Sequence, residues 1–172
     1  MNLAQLHLLL NHFPIIGTLI ALSLFLISLI GNRDDLKQAS LALFSFIALL
    51  AIPTYLSGHA AQEAIKEIPD VSMDLIQTHQ GTALLAFVFM EITGAVSLMG
   101  LWRFSRSAKN PWISRPARLN LLAVLLFAMV TMGFMAITGN TGGEIRHPEI
   151  GEETTSAVGT FGSAIILQSS IS

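Results

Sequence analysis

Residues 119–138 read LNLLAVLLFAMVTMGFMAIT, twenty residues without a single charge. A bilayer core about 30 Å thick is crossed by a helix of roughly 20 mainly apolar residues. In hydrocarbon every backbone N–H and C=O must find its partner within the segment, so a lone stretch of this kind is a helix and not a strand. Working outward, three further stretches meet the same requirement, at 6–30, 39–57 and 82–102. They leave connections at 31–38, 58–81 and 103–118 and a polar stretch from 139 onward. The expected fold is all-α, a membrane four-helix bundle of up-down-up-down order over residues 1–150, followed by a tail at 151–172. Within the tail, 154–163 are small and polar and 164–167 briefly apolar, too short to span. It could rest on the surface, pack on a partner subunit or stay disordered. No internal repeat stands out.

Composition agrees. Of the 172 residues 52% are hydrophobic and only 12% charged, whereas a water-soluble domain carries about 25% charged residues. Too little polar surface remains to cover a globule of this size in water. There is no cysteine, which removes disulfides, iron–sulfur clusters, thiolate metal sites and cysteine nucleophiles, and leaves histidine and carboxylate as the strong metal ligands. The first six residues hold no Lys or Arg, so no cleavable signal peptide is expected. Neither a P-loop, a nucleophile elbow nor a basic nucleic-acid patch is present.

The few charges are segregated. Arg33, Lys37, Arg103, Arg106, Lys109, Arg115 and Arg118 fall in the first and third connections, leaving Lys66 and Arg146 for the other side. Basic residues accumulate in cytoplasmic loops. Both termini and the middle connection are therefore expected on the outer side, the periplasm if the membrane is a bacterial inner membrane.

The histidines follow the opposite rule. His7, His12, His59, His79 and His147 all sit near the helix ends expected at that outer side, so each helix offers at least one imidazole to one membrane boundary. His7, five residues before His12, projects from a different part of the helix and reads as an interfacial anchor. His12, His59, His79 and His147 are the candidate ligands. Histidines on facing helices of a bundle supply both axial positions of a haem iron, and pairing diagonal helices gives His12 with His79 and His59 with His147. His147 reaches this cluster only if the glycine-rich stretch 139–143 folds back. An anchoring role at the interface is the plainer reading of each ring taken singly. A His/carboxylate metal centre is a further alternative. His59 and Glu63 would share a face if helix two continues, and Glu144 and Glu149 flank His147; such donors suit zinc, iron or copper.

Glu91 lies near the middle of the third span. A carboxylate at that depth costs several kcal/mol unless protonated, paired or hydrated, so it is a candidate proton-transfer or quinone-binding group. The plainer alternative is a neutral side chain hydrogen-bonded to Tyr55, Thr93 or Asn11. Pro53 is expected to kink helix two. Met129, Met132 and Met135 form a packing stripe.

Asn11-His12-Phe13-Pro14-Ile15 at the first helix, Ser57-Gly58-His59 at the second, and Gly142-Gly143-Glu144 with Arg146-His147 after the fourth resemble the DUF2231-type four-helix membrane proteins. The resemblance covers about 6–147. The chain departs from the pattern at 145–149, which lack the usual aromatic and glycine-rich continuation. The resemblance implies a b-type-cytochrome-like electron-transfer membrane subunit, with one or two haem b groups, access to the quinone pool, and Rieske, cupredoxin or cytochrome c-like partners in a respiratory or photosynthetic-type complex. Two other classes stay open at this stage: a cofactor-free accessory subunit of a larger membrane complex, and a metal-handling membrane protein. A transporter is disfavoured, because one midplane acid in four helices makes a poor substrate cavity.

Overall fold

The computed structural model describes residues 2–66, 71–109 and 118–146. Five helical segments build four rods. The first rod is α1 (Leu3–Leu10) followed by α2 (His12–Ile30); the others are α3 (Asp34–Ile65), α4 (Met73–Lys109) and α5 (Arg118–Arg146). All four are long and apolar enough to cross a membrane, and the chain is an integral membrane protein of the four-helix-bundle class. The tail 151–172 lies outside the described residues, and so does His147.

Each observed helix outruns its apolar stretch. The second extends to Ile65 and the third begins at Met73, so His59 and His79, expected in a loop, are both helical. An apolar run marks only the part of a helix that lipid surrounds. Beyond it the ladder continues until a cap or proline stops it, since adding a turn to an existing helix is easy compared with nucleating one.

The first rod is broken at Asn11. Pro14 has no N–H to give Leu10, the partner four residues back, and the ladder parts there. Among the described residues α1 packs on α3 and touches α2, while α2 packs on both α3 and α5. The remaining neighbours are α3 with α4 and α4 with α5. The rods thus form a closed ring in chain order, with the first opposite the third and the second opposite the fourth.

At the end away from the histidines, Asn32 (φ 47°) reverses the chain between α2 and α3. Lys37, almost buried, donates to Asn32 Oδ1 at 2.9 Å and Asp34 Oδ1 at 3.0 Å. The Asp35 carboxylate, accepting from Arg33, holds that guanidinium above its ordinary pKa. The core between the rods contains Phe25, Leu41, Phe44, Met90 and Val124 along with buried hydroxyls. Thr18 reaches the sulfurs of Met90 (3.5 Å) and Met135 (3.3 Å), joining three rods. Thr93 and Thr131 meet at 3.1 Å. Such hydroxyls also bond the carbonyl one turn back, as Thr131 does to Phe127 at 2.7 Å, and are therefore tolerated in lipid.

The closest backbone approach is between α3 and α4. A Cβ on Gly94 would lie 2.3 Å from that of Ala48, well inside contact distance, so Gly94→Ala must push the two helices apart. Overpacking of this kind costs about 1–3 kcal/mol. A Cβ on Gly133 meets nothing within 4 Å. Reversible unfolding in micelles is expected to show a clear loss for Gly94→Ala and none for Gly133→Ala. Equal stability of the two variants would refute the close packing.

Candidate functional site

His7 lies on α1, which packs against α3. Its Nδ1 lies 2.9 Å from the Thr54 carbonyl oxygen and 3.5 Å from Ser57 Oγ. A carbonyl can only accept, so Nδ1 carries the hydrogen and donates it. The neutral imidazole then has its lone pair on Nε2. The ring lies flush on α3: a Cβ on Gly58 would come within 3.3 Å of His7 Cε1.

His79, on α4, is held in the same way by α5. Its Nδ1 lies 3.0 Å from the Thr138 carbonyl oxygen and 3.2 Å from Thr141 Oγ1. A Cβ on Gly142 would lie 3.1 Å from His79 Cε1. Here too the hydrogen is on Nδ1 and the lone pair on Nε2. Neither Nε2 has a hydrogen-bond partner among the described residues. Both rings are half-buried. The helices that carry them stand diagonally opposite, with α1 and α4 making no backbone contact among the described residues.

The two cradles are one motif used twice. Thr54, Ser57 and Gly58 hold the first ring; Thr138, Thr141 and Gly142 hold the second. Each reads Thr-x-x-(Ser/Thr)-Gly and supplies a carbonyl, a hydroxyl and a bare backbone at the same spacing. The first hairpin, α1–α3, and the second, α4–α5, thus hold a histidine by the same small motif. The motif escaped sequence reading because it consists of small polar residues scattered among apolar ones. The signal that reveals it is the matched Thr-x-x-(Ser/Thr)-Gly on the second and fourth rods, each opposite a histidine on the preceding one.

Of the histidines expected to act together, His12 and His59 are exposed. His12 hydrogen-bonds to its neighbour Asn11. Of the expected His12–His79 pair, only His79 is held by a neighbouring helix. The ring held in the same way on the first rod is His7. The His59–His147 pair has only His59 among the described residues. The continuation of α3 does place His59 and Glu63 on one face, but the Glu63 carboxylate pairs with Lys66. Among the described residues no three His, Asp or Glu side chains are grouped to hold a metal ion. Glu144 accepts from Asn140, and Glu149 is not among the described residues.

Glu91 is half-buried on α4, with Oε1 shielded and without a partner. The hydrogen bonds that would have made it an ordinary structural side chain do not form. Thr93 bonds to Phe89 and Thr131, Asn11 bonds to His12, and the Tyr55 ring stacks face to face on Phe87, centroids 4.5 Å apart.

Comparison with protein families, with curated proteins and with solved structures found no match to this chain. The arrangement of the site has to be read from its own chemistry.

The tautomer is the directly checkable consequence. Nitrogen-15 spectra of the protein in micelles are expected to place the hydrogen of neutral His7 and His79 on Nδ1. An Nε2–H form at either residue would remove the cradle as described.

Proposed function

We propose that the chain is a membrane-embedded b-type haem subunit for electron transfer, with His7 and His79 as the two axial ligands. One observation carries the reading: two imidazoles stand on diagonally opposite helices, each with Nδ1 directed at a carbonyl of the next helix. Ligating histidines in metalloproteins are oriented this way, the second nitrogen fixing tautomer and ring plane and raising the basicity of the first. The donor set also fits by what it lacks. Two nitrogens without carboxylate or thiolate are too few for a closed zinc site, which takes four ligands, but they complete the axial positions of a haem iron. When bound, that group supplies one-electron chemistry.

The chain's own residues would hold it. Thr54 and Thr138 orient the rings through their carbonyls, and Gly58 and Gly142 let them lie against bare backbone. The segregation of Lys and Arg supports an outer-facing histidine end, in a bacterial inner membrane the periplasmic end. A Rieske, cupredoxin or cytochrome c-like partner, of the class the sequence resemblance implies, would exchange electrons there.

Purified protein is expected to give a protohaem pyridine haemochrome and the low-spin spectrum of bis-imidazole iron. His7→Ala and His79→Ala are each expected to lower haem retention about tenfold or more, since even the orienting partners of a ligand are worth about 10–100-fold. Added imidazole should restore the low-spin spectrum, which separates a lost ligand from a lost fold. His12→Ala and His59→Ala should keep full haem content. Protein that stays colourless after expression with ample haem, or unchanged haem in both His7→Ala and His79→Ala, would overturn the reading. Gly142→Val, which puts side-chain carbon where the His79 ring lies, is expected to shift the spectrum or reduce haem content while leaving the bundle folded.

A further inference from the structure

Glu91 is close to the centre of the 34-residue span Met73–Arg106. Half of a hydrocarbon core about 30 Å thick therefore separates it from either surface. Its position around the helix is fixed by its neighbours. Phe87, one turn earlier, stacks on Tyr55 of α3; Gly94, one turn later, packs on Ala48 of α3 and takes a hydrogen bond from Ser45. Residues at these spacings share a face, so Glu91 lies at the α3–α4 seam. Val88 and Leu98, beside it on the outer side of α4, are 41% and 60% exposed, and Ile52 and Tyr55 across the seam are each 37% exposed. The carboxyl group thus stands where the seam opens to lipid, with one oxygen turned inward and unpaired.

A polar group left without a partner in hydrocarbon is strongly disfavoured unless a ligand completes it. Phospholipid headgroups stay at the interface, half a bilayer away, and cannot serve. The ligand has to be soluble in the membrane core, carry a hydrogen-bonding oxygen there, and suit the flat aromatic surface that Tyr55 and Phe87 present one turn away. We propose that the α3–α4 seam at Glu91 and Tyr55 binds the headgroup of a membrane-soluble quinone or quinol. A quinol hydroxyl donates to the carboxylate, or the protonated carboxyl donates to a quinone carbonyl; the ring lies along the seam beside Tyr55. Glu91 is about 18 Å along α4 from His79, at 1.5 Å per residue, so the seam and the histidine cradle are separate sites. The choice of a redox-active headgroup rests on the electron-transfer reading above; the need for a hydrogen-bonding ligand at the seam does not.

The test is equilibrium binding of decyl-ubiquinone to the full chain in micelles, alongside its melting temperature, for wild type, Glu91→Leu and His59→Ala. Glu91→Leu is expected to weaken binding at least about tenfold, as loss of a hydrogen bond to a charged group does. Without quinone it should melt higher than wild type, because an unpaired carboxyl has been removed. His59→Ala, at an exposed residue outside the cradle, should bind decyl-ubiquinone as wild type does, and because the measurement does not read haem, failure of the haem reading leaves it intact. A photoreactive azidoquinone should label 48–56 and 84–98. Unchanged quinone affinity in Glu91→Leu would overturn the proposal. So would a switch of Glu91→Leu from dimer to monomer at unchanged affinity, which would assign the carboxyl to contact between two copies.

Discussion

A neutral imidazole inside a membrane bundle has one N–H hydrogen to place, and its placement decides what the ring can do. In water either nitrogen can be satisfied by solvent. Between helices the donor must find a protein acceptor, since leaving it unmade forfeits the desolvation cost of the group. His7 and His79 meet this demand identically, through the Thr54 and Thr138 carbonyls. These acceptors belong to the second and fourth rods, while the rings belong to the first and third. The pairing within each hairpin therefore does two things at once: it ties neighbouring helices together and leaves one lone pair per ring directed away from its anchor. The ring contacts at Gly58 and Gly142 follow, because a side chain at either position would occupy the space the imidazole needs.

The acceptors exist because helical carbonyls near Ser and Thr are already shared. Ser57 donates to Thr54 O at 3.0 Å, and Thr141 lies 3.2 Å from Thr138 O. A carbonyl has two lone pairs and accepts from a second donor without losing the first. Small hydroxyls that would be unremarkable packing residues in a membrane helix here set the edge of a site.

Much of the fold was legible in the sequence because lipid imposes a length and a composition on any helix that crosses it. The four spans, their order and the concentration of histidines at one end follow from counting apolar residues. The site was legible only in part. Of the two cradled rings, His79 stood out as a candidate, whereas His7 read as an interfacial anchor, because its contacts with Thr54, Ser57 and Gly58 join two helices and no single stretch of sequence records them. Glu91 was conspicuous for its depth, yet its place at a lipid-facing seam depends on Tyr55, Phe87, Ala48 and Gly94 meeting across two helices, which no single stretch records.

The shared motif sharpens the contrast between the two ends of the molecule. Where the rings are held, the two hairpins share Thr, Ser/Thr and Gly at the same spacing. Further along they part company. As far along the first rod from His7 as Glu91 is from His79 stands Leu19, an apolar side chain 52% exposed on the outside of α2. Leucine at that position is what a lipid-facing surface calls for, so the carboxyl at Glu91 is the member of the pair that departs from solvent-driven expectation. The Glu91 carboxyl stands at the lipid-facing side of the α3–α4 seam with one oxygen lacking a partner. Lipid bounds that side, and a partner for the carboxyl has to arrive through it.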